Sequence, residues 1–229
     1  MLRLLFLVVF LFPRLALAGE KSLYDFIWLD PDKKVYVLQN KLFQKKYKVY
    51  FDLGYLSNES AKFQNTTGFQ GRVGWYLAEE WGIEAIYNHY NSTNNDDFKS
   101  VQIVNDQVPF IRRFNNQYGL LLIWSPFYGK INTFNRIYYF DWSFGAGISK
   151  VNAESNLKTF ENSPTKLILD NETYTGALLK TNVKFHIKEN LHLGIGYLST
   201  LYNAPSPKNP KSDKLRTNTD FILSIGFSL

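Results

Sequence analysis

Three features of the sequence predict an all-β protein, a transmembrane up-and-down antiparallel β-barrel of about eight strands. They are an export leader, a period-two alternation that leaves one face apolar and free of charge, and connections that alternate long and short.

The leader comes first. Arg3 opens a positive n-region, Leu4 to Phe12 is an unbroken apolar run, and Ala16-Leu17-Ala18 fits the small-x-small cleavage rule. The run is too short to cross a bilayer as a helix, which needs about 20 apolar residues. Residues 1–18 therefore read as a cleaved signal peptide, 19–46 as a periplasmic arm and 47–229 as the barrel. Asp30-Pro31-Asp32 in the arm is a turn signal, and the arm is expected to plug or cap the lower mouth.

Composition narrows the class. The formal charge of +6 is spread along the chain rather than gathered on a basic face, which argues against nucleic acid as a partner. There is no cysteine, and the three histidines (His89, His186, His192) show no metal-ligand spacing, so neither a metal nor a cofactor is expected. Mean hydropathy is −0.24 while aromatics reach 17%. A polar average rich in Tyr, Trp and Phe suits a barrel with one lipid face and one polar face.

The alternation is regular along eight segments. Phe51, Leu53 and Tyr55 oppose Tyr50, Asp52 and Gly54; Phe69, Val73 and Trp75 oppose Gln70, Arg72 and Gly74. Trp81, Ile83 and Tyr87 oppose Gly82, Glu84 and Asn88. Gln117 to Trp124 is apolar on both faces, so its phase is ambiguous; Tyr118, Leu120, Leu122 and Trp124 are the expected outward set. Trp142, Phe144 and Ile148 oppose Asp141, Ser143 and Ser149, and Leu179, Val183 and Phe185 oppose Lys180, Asn182 and Lys184. Leu193, Ile195 and Tyr197 oppose His192, Gly194 and Gly196. The last segment sets Leu223, Ile225 and Phe227 against Ser224, Gly226 and Ser228. A soluble β-sandwich would share this alternation but bury its apolar faces.

Connections separate the two architectures. They fall near 57–67, 79–80, 91–116, 125–136, 151–173, 188–190 and 203–217. Long polar loops at one end and short turns at the other are the outer-membrane pattern, although 125–136 is long for a turn. Residues 101–114 read either as strand extension or as a short helix. The terminal strand, Phe221 to Leu229, ends on the apolar phase. It looks like the signal read by the barrel-assembly machinery, an expected partner beside outer-membrane lipid and lipopolysaccharide.

All charges of the eight segments lie on the inner phase: Lys48, Asp52, Arg72, Glu84, Asp141, Lys180 and Lys184. Buried ions persist only when paired, and an eight-stranded barrel is just wide enough for side chains to fill. A structural lumen network is therefore expected, with Asp141–Lys184 and Arg72–Glu84 as its pairs. The alternative is the lining of a narrow small-molecule pore. A lipid-modifying enzyme is a second alternative, with His89 at the lipid face and Ser92 just above it. No third residue is marked to orient such a pair, so the sequence argues against catalysis. The favoured role is structural or one of surface interaction through long extracellular loops.

Val35-Tyr36-Val37-Leu38-Gln39, Pro126-Phe127-Tyr128-Gly129-Lys130, and Phe140-Asp141 leading to Gly145-Ala146-Gly147 resemble the outer-membrane β-barrel domain family known from myxobacteria and related Gram-negative bacteria. The resemblance spans most of residues 35–229. It implies an outer-membrane location and a barrel fold. It brings no activity and no catalytic residues.

Overall fold

Eight antiparallel strands close into a ring in which every strand pairs with its sequence neighbours and β1 pairs with β8. The computed structural model describes residues 41–133, 136–162, 166–207 and 209–229. The expected signal peptide, the arm up to residue 40 and the Val35–Gln39 motif lie outside the described residues.

The strands are β1 (Val49–Asn58), β2 (Gln64–Tyr76), β3 (Trp81–Asn94), β4 (Arg112–Thr133), β5 (Arg136–Ser155), β6 (Asp170–His186), β7 (Leu191–Ser206) and β8 (Asn209–Ser228). Among the described residues, two helices sit in connections: α1 (Asp96–Asn105) and the short α2 (Leu157–Asn162). The order is up-and-down throughout, and Leu42–Leu229 form one compact unit.

One end of the barrel carries the tight turns. Leu77 and Ala78 donate to the Trp81 carbonyl, and Ile187 and Lys188 donate to that of Leu191. The start of β1 and the end of β8 meet at this lower end, where Val49 and Leu229 exchange backbone hydrogen bonds. The upper end carries α1, α2 and the longer connections. Asn95 caps α1 by accepting from the Phe98 amide at 3.0 Å, with Asp96 and Asp97 in the first turn at the positive end of the helix dipole. The helix thus resolves 101–105, while β4 begins at Arg112.

The expected loop at 125–136 is corrected. β4 and β5 continue through it as a paired hairpin, from Phe127 opposite Trp142 to Thr133 opposite Arg136. A register shift between Trp124 and Phe127 moves the outward phase from even to odd positions, so strict period-two reading loses the strand there. The expected loop at 203–217 is corrected likewise: β7 and β8 pair in register as far as Pro205 opposite Asp213 and, past a register shift, at Ser206 opposite Asn209.

Side-chain orientation is inside out relative to a soluble sandwich. Leu53 is 72% exposed on the outer wall while its neighbour Asp52 is 1% exposed inside. Phe69, Leu120, Ile148 and Ile225 are exposed in the same way, and Tyr118, Leu120, Leu122 and Trp124 face outward on β4 as expected. The inner positions of β4, Leu121 and Ile123, are buried in an apolar cluster with Leu56, Leu178, Leu198 and Ile222. That cluster is why the sequence of β4 is apolar on both faces.

Candidate functional site

The chemistry of this chain is concentrated inside the barrel. Strand register decides which inner residues meet. β1 and β2 set Asp52 directly opposite Arg72, and Arg72 Nη2 lies 2.8 Å from Asp52 Oδ2. Lys184 Nζ reaches the same carboxylate oxygen at 3.4 Å, and His192 Nε2 is 2.5 Å from Oδ1. Arg72 also donates to Ser224 Oγ at 2.6 Å. Glu84 accepts from the Tyr50 hydroxyl at 2.6 Å and pairs with Lys180 across the interior. The Lys184 ammonium sits 3.4 Å from the centroid of the Tyr50 ring, a cation–π contact.

Glycines let these contacts form. His192 on β7 and Asp52 on β1 flank Gly226 on β8 in one cross-strand row. A Cβ at Gly226 would fall 1.8 Å from Asp52 Oδ1 and 2.3 Å from His192 Nε2. Gly74 does the same between Tyr50 and Glu84, where a Cβ would meet the Tyr50 hydroxyl at 2.3 Å. In both rows the missing side chain lets a polar pair meet across the intervening strand. Gly226→Ala is therefore expected to destabilise the barrel by about 1–3 kcal/mol. Gly71→Ala, whose Cβ meets nothing within 4 Å, should be silent. Urea titrations followed by the difference in gel mobility between folded and unfolded forms test this, and equal midpoints would refute the row.

A second cluster lies at the lower mouth. Residues 42–48 lie against that end, with Lys45 buried. Its ammonium is 2.6 Å from Asp141 Oδ1 and donates to Ser125 Oγ at 2.8 Å. Glu79 accepts from the backbone amides of Lys45 and Lys46, both at 3.0 Å. The other Asp141 oxygen is 2.7 Å from His186 Nε2, and the Phe43 ring stacks on His186 at 4.4 Å and 9°.

Both expected ion pairs are corrected. Asp141 and Lys184 do stand opposite each other on β5 and β6, yet Asp141 pairs with Lys45 and His186 while Lys184 turns to Asp52. Arg72 pairs with Asp52, its direct cross-strand partner, and not with Glu84, which takes Lys180. Of the seven predicted residues, six are buried within these clusters. Lys48 is half-buried and makes no ion pair among the described residues. Lys45, Tyr50, His186 and His192 were missed. The two histidines did carry a signal, since both lie on the inner phase and flank the Lys188-Glu189-Asn190 turn, where the hairpin pairs them directly.

Comparison with known proteins adds the fold. No family model matches the chain, and no curated protein matches it. Among solved structures, the amino-terminal β-barrel domain of Pseudomonas aeruginosa OprF is similar over 81% of this chain and 100% of its own, at 12% identity and a TM-score of 0.50. Neisserial surface protein A is similar over 80% of this chain and 96% of its own, at 16% identity and a TM-score of 0.43. The likeness is one of fold.

The Ser–His pair weighed for catalysis is not assembled. His89 faces outward, its Nδ1 2.8 Å from Asn116 Oδ1, while Ser92 sits on the opposite phase of β3 with its hydroxyl 2.7 Å from that of Thr66. Three positions along one strand place two side chains on opposite faces.

Proposed function

We propose that this chain is an integral outer-membrane β-barrel protein of a Gram-negative bacterium, with a filled lumen and a structural or surface-interaction role through its upper loops. The observation that carries the reading is the inverted burial: a continuous apolar outer wall around a charged interior. A lipid-facing Lys or Arg at the midplane costs about 2–4 kcal/mol, and the outer wall carries none across its apolar band. Aromatic residues add support where the interfaces would fall. Trp81 and Trp124 stack at 6.0 Å near the lower end, and Tyr87 and Tyr118 pair at 5.0 Å nearer the upper.

A filled lumen is supported by the apolar cluster and the ion network together. Between them runs a ladder of amides: Gln70 donates to Asn88, Asn88 to Gln117, and Gln117 to Thr200. Each interior charge discussed above except Lys48 has a partner, so the arrangement supports mutual neutralisation rather than a selectivity lining. Export by a cleaved signal peptide, insertion through the terminal strand and a non-enzymatic role belong to the same proposal. The narrower membership in the barrel family known from myxobacteria rests on the short motifs alone.

The test is electrical. Purified native protein, shown to be folded by heat-dependent gel mobility, is expected to give no sustained conductance in planar bilayers. Lys184→Met should lower stability without opening a channel. Stable ion-selective conductance that Lys184→Met alters would replace this reading with the narrow pore.

A further inference from the structure

At the lower end of the barrel the β4–β5 hairpin reaches beyond its neighbours. Past Ser125, whose amide donates to the Glu80 carbonyl, β4 has no partner on β3, and before Tyr139 β5 has none on β6. Residues 131–133 and 136–138 pair only with each other, so the tip stands clear of the ring. From Phe127 to Thr133 the arm is roughly 20 Å of strand, at about 3.3 Å per residue.

Alternation gives this hairpin two faces with different fates. The inner face is covered by the chain itself: Tyr128 and Tyr139 stack at 5.9 Å, and the Phe43 ring lies 5.4 Å from that of Tyr139. The outer face sets Phe127 opposite Trp142 and Ile131 opposite Tyr138, and all four are exposed. It continues the apolar outer wall without a break. Phe127 lies 5.8 Å from Trp142, Trp142 5.2 Å from Phe144, and Phe144 6.2 Å from Trp124, which stacks on Trp81. Followed toward the tip, the same face of β5 reads Trp142, Phe140, Tyr138 and ends on Arg136.

Charge marks the tip as well. No Asp or Glu occurs between Phe127 and Phe140. Lys130 and Arg136 are exposed and make no ion pair among the described residues. Lys188, in the adjoining β6–β7 turn, is exposed too, with Glu189 beside it. Glu79 and Glu80 lie in the β2–β3 turn, where the Glu79 carboxylate accepts from the Lys45 and Lys46 amides. A face that is aromatic to its end and cationic just beyond matches a phospholipid, with acyl chains beside the rings and the headgroup at the cations. An anionic headgroup complements that charge, whereas a zwitterionic one brings no net charge to it. A soluble polyanion would meet the cations but leave the apolar face bare.

We propose that the outer face of the β4–β5 hairpin docks an anionic glycerophospholipid of the leaflet at the lower end, its chains along Phe127, Phe140 and Trp142 and its head at Lys130 and Arg136. The inference rests on the membrane reading of the outer wall and adds a lipid preference to it.

The experiment is native mass spectrometry of the full-length folded protein in detergent micelles, titrated with palmitoyl-oleoyl phosphatidylglycerol or with phosphatidylcholine bearing the same chains. Identical chains leave the headgroup charge as the variable. Phosphatidylglycerol is expected to be retained about fivefold or more over phosphatidylcholine. The double variant Lys130→Gln, Arg136→Gln should lose most of that preference. Lys62→Gln with Lys99→Gln removes the same charge from exposed positions at the upper end and should keep it. Should the first pair fail to fold, Arg136→Gln alone is compared with Lys99→Gln. Equal retention of the two lipids by the native protein, a preference undiminished in the folded hairpin variant, or an equal loss in both variants would overturn the docking surface. Failure of the membrane reading is seen separately, in unfolding from vesicles, where the outer wall would then tolerate Leu193→Arg.

Discussion

Asp52→Asn is expected to cost the barrel about 3–5 kcal/mol, the largest single effect in the interior, because it removes the one charge that three partners share. Arg72 at 2.8 Å, Lys184 at 3.4 Å and His192 at 2.5 Å all converge on this carboxylate. Asparagine keeps the shape but leaves two buried cations facing a neutral amide. Arg72 has no water to retreat to, since its side chain is fully buried. Pairing the change with Arg72→Met should recover part of the loss, since the excess positive charge falls with it. Urea unfolding read by gel mobility measures both. A loss below about 1 kcal/mol for the single variant, or strict additivity in the double, would mean the contacts do not act as one network.

Leu193→Arg should cost about 2–4 kcal/mol if the outer wall faces lipid. Leu193 lies on the apolar outer face of β7, between Phe185 of β6 and Ile225 of β8. Ile103 on α1 is the informative comparison. It is even more exposed than Leu193, 82% against 43%, yet it lies on a helix above the barrel. Ile103→Arg is expected to fall within about 0.5 kcal/mol of wild type, as an ordinary surface change does. Solvent exposure alone would make the two substitutions equivalent, so only a lipid-facing wall predicts that they differ. Equal stabilities in unfolding from lipid vesicles would rule out the membrane reading of that wall.

The two predictions rest on features of different legibility. The outer wall could be read residue by residue, because a strand with one apolar and one polar face repeats every two positions and the repeat survives any error in loop length. In β4, apolar on both faces, the alternation alone left the phase open, and the expected outward set of Tyr118, Leu120, Leu122 and Trp124 does face outward. The repeat failed where the backbone departed from two residues per period. The bulge between Trp124 and Phe127 shifted the phase by one, and a continuous hairpin read as a loop. Above the apolar band, polar outer positions in β7 and β8 gave no contrast between faces, so 203–217 also read as loop.

Sequence by itself determined the barrel: eight alternating segments, the outward sets and the confinement of charge to the inner phase. The reason is that these are consequences of local backbone geometry acting on the order of residues. Tertiary structure decided the pairs. Asp141 and Lys184 are direct neighbours across two strands, yet each found a better partner, Asp141 in Lys45 and His186, Lys184 in Asp52. Ring closure brings β1 beside β8, and the glycine at 226 lets His192 reach over that strand to Asp52. Which inner side chains meet depends on the stagger of all eight strands at once, and on a segment before β1 that carries no alternation of its own.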